Sequence, residues 1–161
     1  MNHKRFISFF LLVAAVAGMV ACNSGGDTKT TDASNANNAG SNAATNAPNP
    51  KGIGPHQNVQ LTHPLDETMV TAGKNVYEVK CASCHKTTDE KLVGPGWKGV
   101  TDRRTPEWIM NFVTNVEEMI EKDPEAQKML EECLVRMPNQ NLSEADARAT
   151  LEFMRKNDGK N

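Results

Sequence analysis

The chain has 161 residues, of which 18 are basic and 20 acidic, so its formal net charge is −2. A mildly acidic chain without a basic run lacks the positive surface that grips phosphate backbones, and we expect no nucleic-acid partner. The length leaves room for one small domain once the N-terminal leader and a low-complexity stretch are set aside.

The first 22 residues are typical of an export signal. Lys4 and Arg5 precede an apolar run over residues 6–21, and Cys22 follows it directly. The run is short for a retained transmembrane helix. The small residues before Cys22 resemble a bacterial lipobox, which implies a signal peptide over residues 1–21, a lipid on Cys22 and a location on the periplasmic side of a bacterial membrane. The alternative is an ordinary signal peptide that contains a cysteine.

A low-complexity segment follows the signal. Residues 23–50 contain no aromatic residue and no Val, Ile, Leu or Met. Such a stretch cannot bury enough apolar surface to offset the chain entropy lost on folding. We therefore predict a flexible, lipid-anchored linker over residues 22–60, about 35 Å long on average, and one folded domain over residues 61–161. His56 and His63 are expected to be solvated near the end of this linker.

The spacing of apolar residues predicts a first helix over residues 67–82, which ends in Cys81-Ala-Ser-Cys84-His85. A C-x-x-C-H motif is typical of covalent attachment of a c-type haem. Two thiols at this spacing reach two vinyl groups of one porphyrin, and His85 then supplies an imidazole nitrogen to the iron. The alternatives are a zinc site or a redox dithiol. A zinc site needs a second ligand pair, which the sequence lacks, and a dithiol would follow a strand.

Glycine and proline between residues 85 and 105 predict an irregular loop around the haem. Six bases and three acids lie within residues 80–104, and this excess of positive charge would steer an acidic partner to the motif. The alternative is a solvated surface with no role. The candidate hydrogen-bond donors to the haem propionates are Trp97, Arg103, Arg104 and Trp108.

Three further helices complete an all-α prediction. The Thr-Pro pair at 105–106 and the Asp-Pro pair at 123–124 each combine an N-cap residue with proline at the first helical position. They predict helices over residues 107–116 and 124–134, and Ser143 begins a last helix with a sequence like a capping box. Cys133 is expected on the buried face of its helix, as an inert thiol.

Met137 is the candidate for the sixth ligand of the iron. It lies in a loop between two predicted helices, and Pro138 biases it toward extended backbone geometry. A thioether held this way can turn to the open face of the iron, whereas the alternative is a loop methionine that caps the core. Met119 and His63 are the next candidates.

These motifs, in this order, resemble the small class I cytochromes c over about residues 65–156. The resemblance implies three to five helices wrapped around one covalently attached haem, with the first and last helices crossing closely near Gly73. It also implies that the carbonyl of Pro95, in Val93-Gly94-Pro95, orients His85 through the second ring nitrogen. The acidic segment over residues 115–133 is a departure from the smallest members of the family. Its layout resembles that of lipid-anchored cytochromes c near respiratory reductases.

The resemblance and the His/Met pair together predict a one-electron carrier of a bacterial respiratory chain without substrate turnover. With both axial sites filled, iron passes electrons but does not readily bind oxygen or peroxide. The expected partners are a respiratory donor complex and a terminal reductase, such as nitrous oxide reductase, or an oxidase. The alternative is a haem enzyme or gas sensor with an open or weak sixth site.

Overall fold

A computed structural model describes residues 48–161, so the predicted signal peptide, Cys22 and most of the predicted linker lie outside the described residues. This part of the chain is all-α, as predicted, and its only β pairing is an isolated bridge between His85 and Lys91. None of its helices is long and apolar enough to cross a bilayer. The helices are α1 Glu67–Val76, α2 Val100–Arg103, α3 Pro106–Thr114, α4 Val116–Lys122, α5 Pro124–Cys133 and α6 Glu144–Asn157.

Side-chain caps begin the longer helices, as the sequence predicts. The Thr105 side chain accepts from the amide of Trp108, and the Asp123 side chain accepts from the amide of Ala126. Ser143 accepts from the amide of Asp146 at 3.1 Å. Each cap satisfies an amide that the first turn leaves without a partner. These caps therefore define where α3, α5 and α6 start.

Helices α1 and α6 cross at close range, which confirms the crossing that the resemblance implies. Gly73 lies on α1 at the crossing, and a Cβ atom there would collide with the carbonyl oxygen of Ala149 on α6. Tyr77, just after α1, packs its ring 5.4 Å from that of Phe153. The crossing fixes the end of α1, and with it the start of the C-x-x-C-H motif.

Two local features differ from the predicted elements. The first predicted helix, over residues 67–82, widens at its end into a π-helical turn, Tyr77–Cys81. The loop predicted between residues 85 and 105 contains the short helix α2, which follows Gly99 with a φ of 72°. Glycine adopts this left-handed conformation without a steric penalty.

The predicted linker boundary at residue 60 needs correction, because residues 49–61 pack on the domain. The amide of Ile53 donates to Met119 Sδ at 2.9 Å. The fully buried side chain of Asn111, on α3, donates to the carbonyls of Lys51 and His56 and accepts from the amide of His56. The sequence suggested a linker because its few apolar residues are scattered, whereas the observed contacts are mostly made by the backbone. We call residues 49–61 the strap.

Candidate functional site

The turn after α1 presents the two thiols of the motif. The amides of Cys84 and His85 both donate to the carbonyl of Cys81, at 3.0 and 2.9 Å. Both cysteines are free thiols, Cys81 buried and Cys84 half-buried. Burial raises the pKa of Cys81 to about 11, which outweighs the opposing effect of Lys80. A protonated thiol is a poor metal ligand and nucleophile, so this environment does not favour a zinc site or a reactive dithiol.

The His85 ring is held by contacts on several sides. Its Nδ1 lies 2.9 Å from the carbonyl oxygen of Pro95, and because a carbonyl only accepts, Nδ1 carries the hydrogen. This is the contact that the resemblance implies. Gly94 lies so close to the ring that a Cβ would collide with it, and the Tyr77 hydroxyl donates to the His85 carbonyl at 2.8 Å. Trp97 packs with its ring centroid 5.8 Å from that of His85.

Burial lowers the pKa of His85, and this effect exceeds the opposing effect of the hydrogen bond to Pro95. The imidazole is therefore neutral at neutral pH. Because Nδ1 carries the hydrogen, the free lone pair of the imidazole is on Nε2. This nitrogen is therefore the atom available to a metal. This donor arrangement fits an axial haem ligand.

A cavity of about 500 Å³ lies against the motif. Its size is within the range of about 300–1,000 Å³ that is usual for small-molecule and cofactor pockets. The potential ligand groups at its wall come from Cys81, Cys84, His85 and Met137. The apolar side chains that line it include Trp97, Val100, Trp108, Ile109, Phe112, Val113, Met129, Leu142 and Met154. The cavity thus combines two thiols, a neutral imidazole and a thioether with an apolar wall. This combination fits a covalently held haem.

The four predicted propionate partners all line the cavity, but their side chains are differently engaged. Trp108 donates its indole N–H to Asp123 at 3.3 Å. Arg104 lies over the Trp108 ring, 4.6 Å from its centroid, and pairs with Glu125 at 2.8 Å. The hydrogen bond from Arg104 also lowers the pKa of Glu125. Trp108 and Arg104 are thus each already paired with a carboxylate, and sequence reasoning missed Glu125, which also lines the cavity.

Met137 is half-buried and lines the same cavity as His85. The other candidates for the sixth ligand lie elsewhere. Met119 is fully buried and accepts from the strap, whereas His63 is exposed and its Nδ1 contacts the carbonyl of Asn161. Neither lines the cavity.

The alternatives to haem find no support within residues 48–161. No group of three or more His, Cys, Asp or Glu side chains there is arranged to hold a metal ion. The motif follows a helix and a π-helical turn, not the strand of a thioredoxin-like unit. Cys133 is half-buried, less so than predicted, and lines a small cavity of about 60 Å³ with Cys84 and Met137. Its position was misjudged because α5 ends at this residue, so only part of its side chain is covered.

Residues 70–158 match the model of the cytochrome c family. The chain belongs to the cytochrome c family. No curated protein sequence matches it. Among solved structures, cytochrome c from Rhodothermus marinus is 34% identical with a TM-score of 0.64, over 66% of this chain and 90% of that chain.

An engineered Rhodothermus marinus cytochrome c, Rma TDE, is also similar. It is 31% identical with a TM-score of 0.65, over 70% of this chain and 100% of that chain. A second structure of the engineered protein, bound to the carbene intermediate 1-ethoxy-1-oxopropan-2-ylidene, has the same identity and coverage and a TM-score of 0.63.

Family membership means that this cytochrome c binds one c-type haem covalently and serves as a haem-based electron carrier. The predicted fold and cofactor are thereby confirmed. The contribution of Gly94 to the site was missed, although the sequence carried a signal for it. A glycine directly before the proline that contacts the histidine indicates a close approach of the backbone to the ring.

Proposed function

We propose that this cytochrome c transfers single electrons through a haem attached at Cys81 and Cys84, with His85 and Met137 as the axial ligands. The observation that carries the proposal is that His85 and Met137 line one cavity, with His85 neutral and its Nδ1 already occupied by Pro95. The haem supplies the redox chemistry, and the chain attaches it, orients it and excludes water.

The wall of the cavity supports electron transfer over ligand chemistry. Trp108, Ile109 and Met154 are each at least 95% buried, so this part of the cavity wall excludes water. A thioether ligand and a dry site both disfavour the ferric charge and raise the reduction potential. A haem in a dry site changes its solvation little when it gains or loses an electron. The protein can therefore exchange electrons without first opening the site.

The proposed docking surface for redox proteins is an apolar rim formed by exposed side chains. Val93 and Val135 line the small cavity beside Cys84, and Leu92 and Leu134 are their exposed sequence neighbours. Exposed apolar side chains grouped at one place are typical of an interaction surface. A protein partner docked there would lie beside the thioether of Cys84. We propose a respiratory donor complex and a terminal reductase or oxidase as the two partners.

We further propose that the protein is exported and anchored by lipid on Cys22, with signal cleavage before that residue. The sequence before Cys22 supports this proposal. Cys22→Ala, made behind a signal peptide that is cleaved without lipidation, should move the holoprotein from the membrane fraction to the soluble periplasmic fraction without changing its haem spectrum. Retention in the membrane fraction would contradict the anchor.

The rival function is a haem enzyme or gas sensor with an open sixth site. The observation that favours it is the carbene-bound engineered relative, because that intermediate occupies a cytochrome c of similar fold. A spectrum of the purified holoprotein separates the two functions. Methionine ligation predicts a weak far-red band in the ferric form and slow, incomplete binding of carbon monoxide to the ferrous form. A missing band together with rapid carbon monoxide binding would support the rival.

A further inference from the structure

We propose that helix α4 holds Met137 in place at the cavity, with Glu117 and Glu121 acting as positioning residues for the loop that carries it. The inference rests on the proposed function, since it takes Met137 as the sixth ligand. We call residues 134–143, between α5 and α6, the Met137 loop.

The Met137 loop has little apolar burial of its own. It begins at Leu134, which adopts a left-handed φ of 59° and is 86% exposed. Val135 is 53% exposed, and of the apolar side chains in the loop Met137 and Leu142 pack against the core. A segment with few buried apolar contacts opens more easily than the helices around it. Its position therefore depends on polar contacts.

Polar contacts to α4 lie on both sides of Met137 in the sequence. Arg136 reaches the carbonyl of Glu117 at 3.4 Å and the carboxylate of Glu121 at 3.8 Å. Asn139 donates to the carboxylate of Glu117 at 3.2 Å. The two glutamates are four residues apart and so lie on the same face of the helix. One helix face thus holds the residue just before Met137 and a residue two positions after it.

Helix α4 is suited to this role because it is itself firmly seated. Val116, Met119 and Ile120 are buried in the core, and Met119 also accepts a hydrogen bond from the strap. On the other side, Lys80 donates to the carbonyl of Gln140 at 2.9 Å. The Met137 loop is therefore held between α4 and the residue that directly precedes Cys81.

Loss of the α4 contacts should make the loop open more often. Contacts between exposed charged and polar groups are individually weak, so removing two carboxylates should raise the open fraction by about threefold to tenfold. Each opening exposes the sixth site of the haem to a competing ligand. Binding of imidazole to the ferric protein reports this opening directly, since imidazole binds when Met137 leaves.

The test compares two double variants of the full-length holoprotein. Glu117→Ala with Glu121→Ala removes the carboxylates that face the loop. Glu118→Ala with Glu131→Ala removes the same charge from two residues outside the contacts with the loop, since Glu131 is exposed on α5 and Glu118, half-buried on α4, is bonded to Asn115 and Lys122. The first pair should bind imidazole about three to ten times faster than the parent and lose its far-red band at lower temperature. The control pair should match the parent in both measurements.

Glu117→Gln serves as the conservative variant, because its amide oxygen still accepts from Asn139. It should retain more of the parental imidazole-binding rate than Glu117→Ala does. Equal rates for the two double variants would overturn the positioning role. Met137→Ala, measured alongside, separates this failure from failure of the proposed function, because an unchanged far-red band in that variant would overturn the ligand assignment and the positioning role together.

Discussion

The carbonyl oxygen of Ala149 lies where the side chain of any residue other than glycine at position 73 would have to lie. Two helix backbones approach this closely only when one of them lacks a Cβ. The contact joins the first and last helices of the domain, and Tyr77, one turn after Gly73, hydrogen-bonds the carbonyl of His85. A single glycine therefore connects the packing of the fold to the position of the proposed ligand.

Gly73→Ala should destabilise the protein despite the better helix propensity of alanine. The propensity gain is about 1 kcal/mol, whereas forcing a methyl group against a backbone carbonyl costs about 1–3 kcal/mol. The difference is a net loss of up to about 2 kcal/mol, measured as a lower midpoint in denaturant unfolding of the holoprotein. Ala72→Gly, at an exposed helical neighbour, removes a methyl group as a control and should lose only about 1 kcal/mol of propensity. A more stable Gly73→Ala protein would contradict the close crossing.

Replacing both Cys81 and Cys84 by serine should abolish covalent haem attachment, because serine forms no thioether with a vinyl group. Acid-acetone extraction should then remove all haem from the double variant and none from the parent. Each single variant should keep its haem through the remaining thiol. Cys133→Ser is the matched control. Haem that resists extraction in the double variant would show that the motif is not the site of attachment.

Met137→Ala should open the sixth site. We expect loss of the far-red ferric band, a lower reduction potential and rapid carbon monoxide binding to the ferrous form. His63→Ala should leave all three unchanged, because that ring is exposed and contacts the chain terminus. If Met137→Ala keeps the parental band and potential, the ligand is another residue.

The sequence predicted the features that depend on local chemistry. The N-caps at Thr105, Asp123 and Ser143 could be predicted, because side chains of these types accept hydrogen bonds from the free amides of the first turn. The path of the strap could not be predicted, because it is fixed mostly by hydrogen bonds of its own backbone groups. One signal was available, however. Asn111 is a polar residue on the apolar face of α3, and a buried amide side chain needs partners.

The sequence led to the proposed ligands but not to the contacts that support them. The spacing of the motif pointed to His85, and the loop position of Met137 before Pro138 pointed to Met137; both residues line the cavity. The contacts of Arg136 and Asn139 with α4 could not be predicted, because they join residues 19 and 22 positions apart, with helix α5 between them in the chain. Tertiary pairs of this kind leave no periodic pattern in the chain.

Stability should fall in acid because of Glu152. Burial raises the pKa of this carboxyl, but hydrogen bonds from Arg148, Arg155 and Thr62 outweigh burial and leave the pKa below its ordinary value of 4.5. The folded state therefore binds the proton less readily than the unfolded state does. The stabilisation is fully present above about pH 4.5 and is lost as the pH falls through the folded-state pKa.

Glu152→Gln should remove this pH dependence and lower stability at pH 7 by about 3 kcal/mol, because Arg155 is left buried without its charge partner. Unfolding by urea between pH 3 and pH 7 measures both effects. Glu131→Gln, at an exposed position on α5, is the control. A variant whose pH profile parallels that of the parent would assign the acid sensitivity to other groups.

The strap should be required for full stability, although the residues before it are not. A protein that begins at residue 48 should keep its haem spectrum and its unfolding midpoint. A protein that begins at residue 62 loses the partly buried side chains of Ile53, Val59 and Leu61 and the hydrogen bonds to Asn111 and Met119. Partial burial of three apolar side chains contributes about 3–5 kcal/mol, so the shorter protein should unfold at clearly lower denaturant concentration.

Asn111→Ala in the full-length chain tests the same contact without truncation. The carbonyls of Lys51 and His56 and the amide of His56 would lose their buried partner, at about 1–3 kcal/mol for each group that finds no water. Asn58→Ala, at an exposed position in the strap, should change little. If the protein beginning at residue 62 and Asn111→Ala are both as stable as the parent, residues 49–61 do not belong to the folded domain, and the linker reaches residue 60 after all.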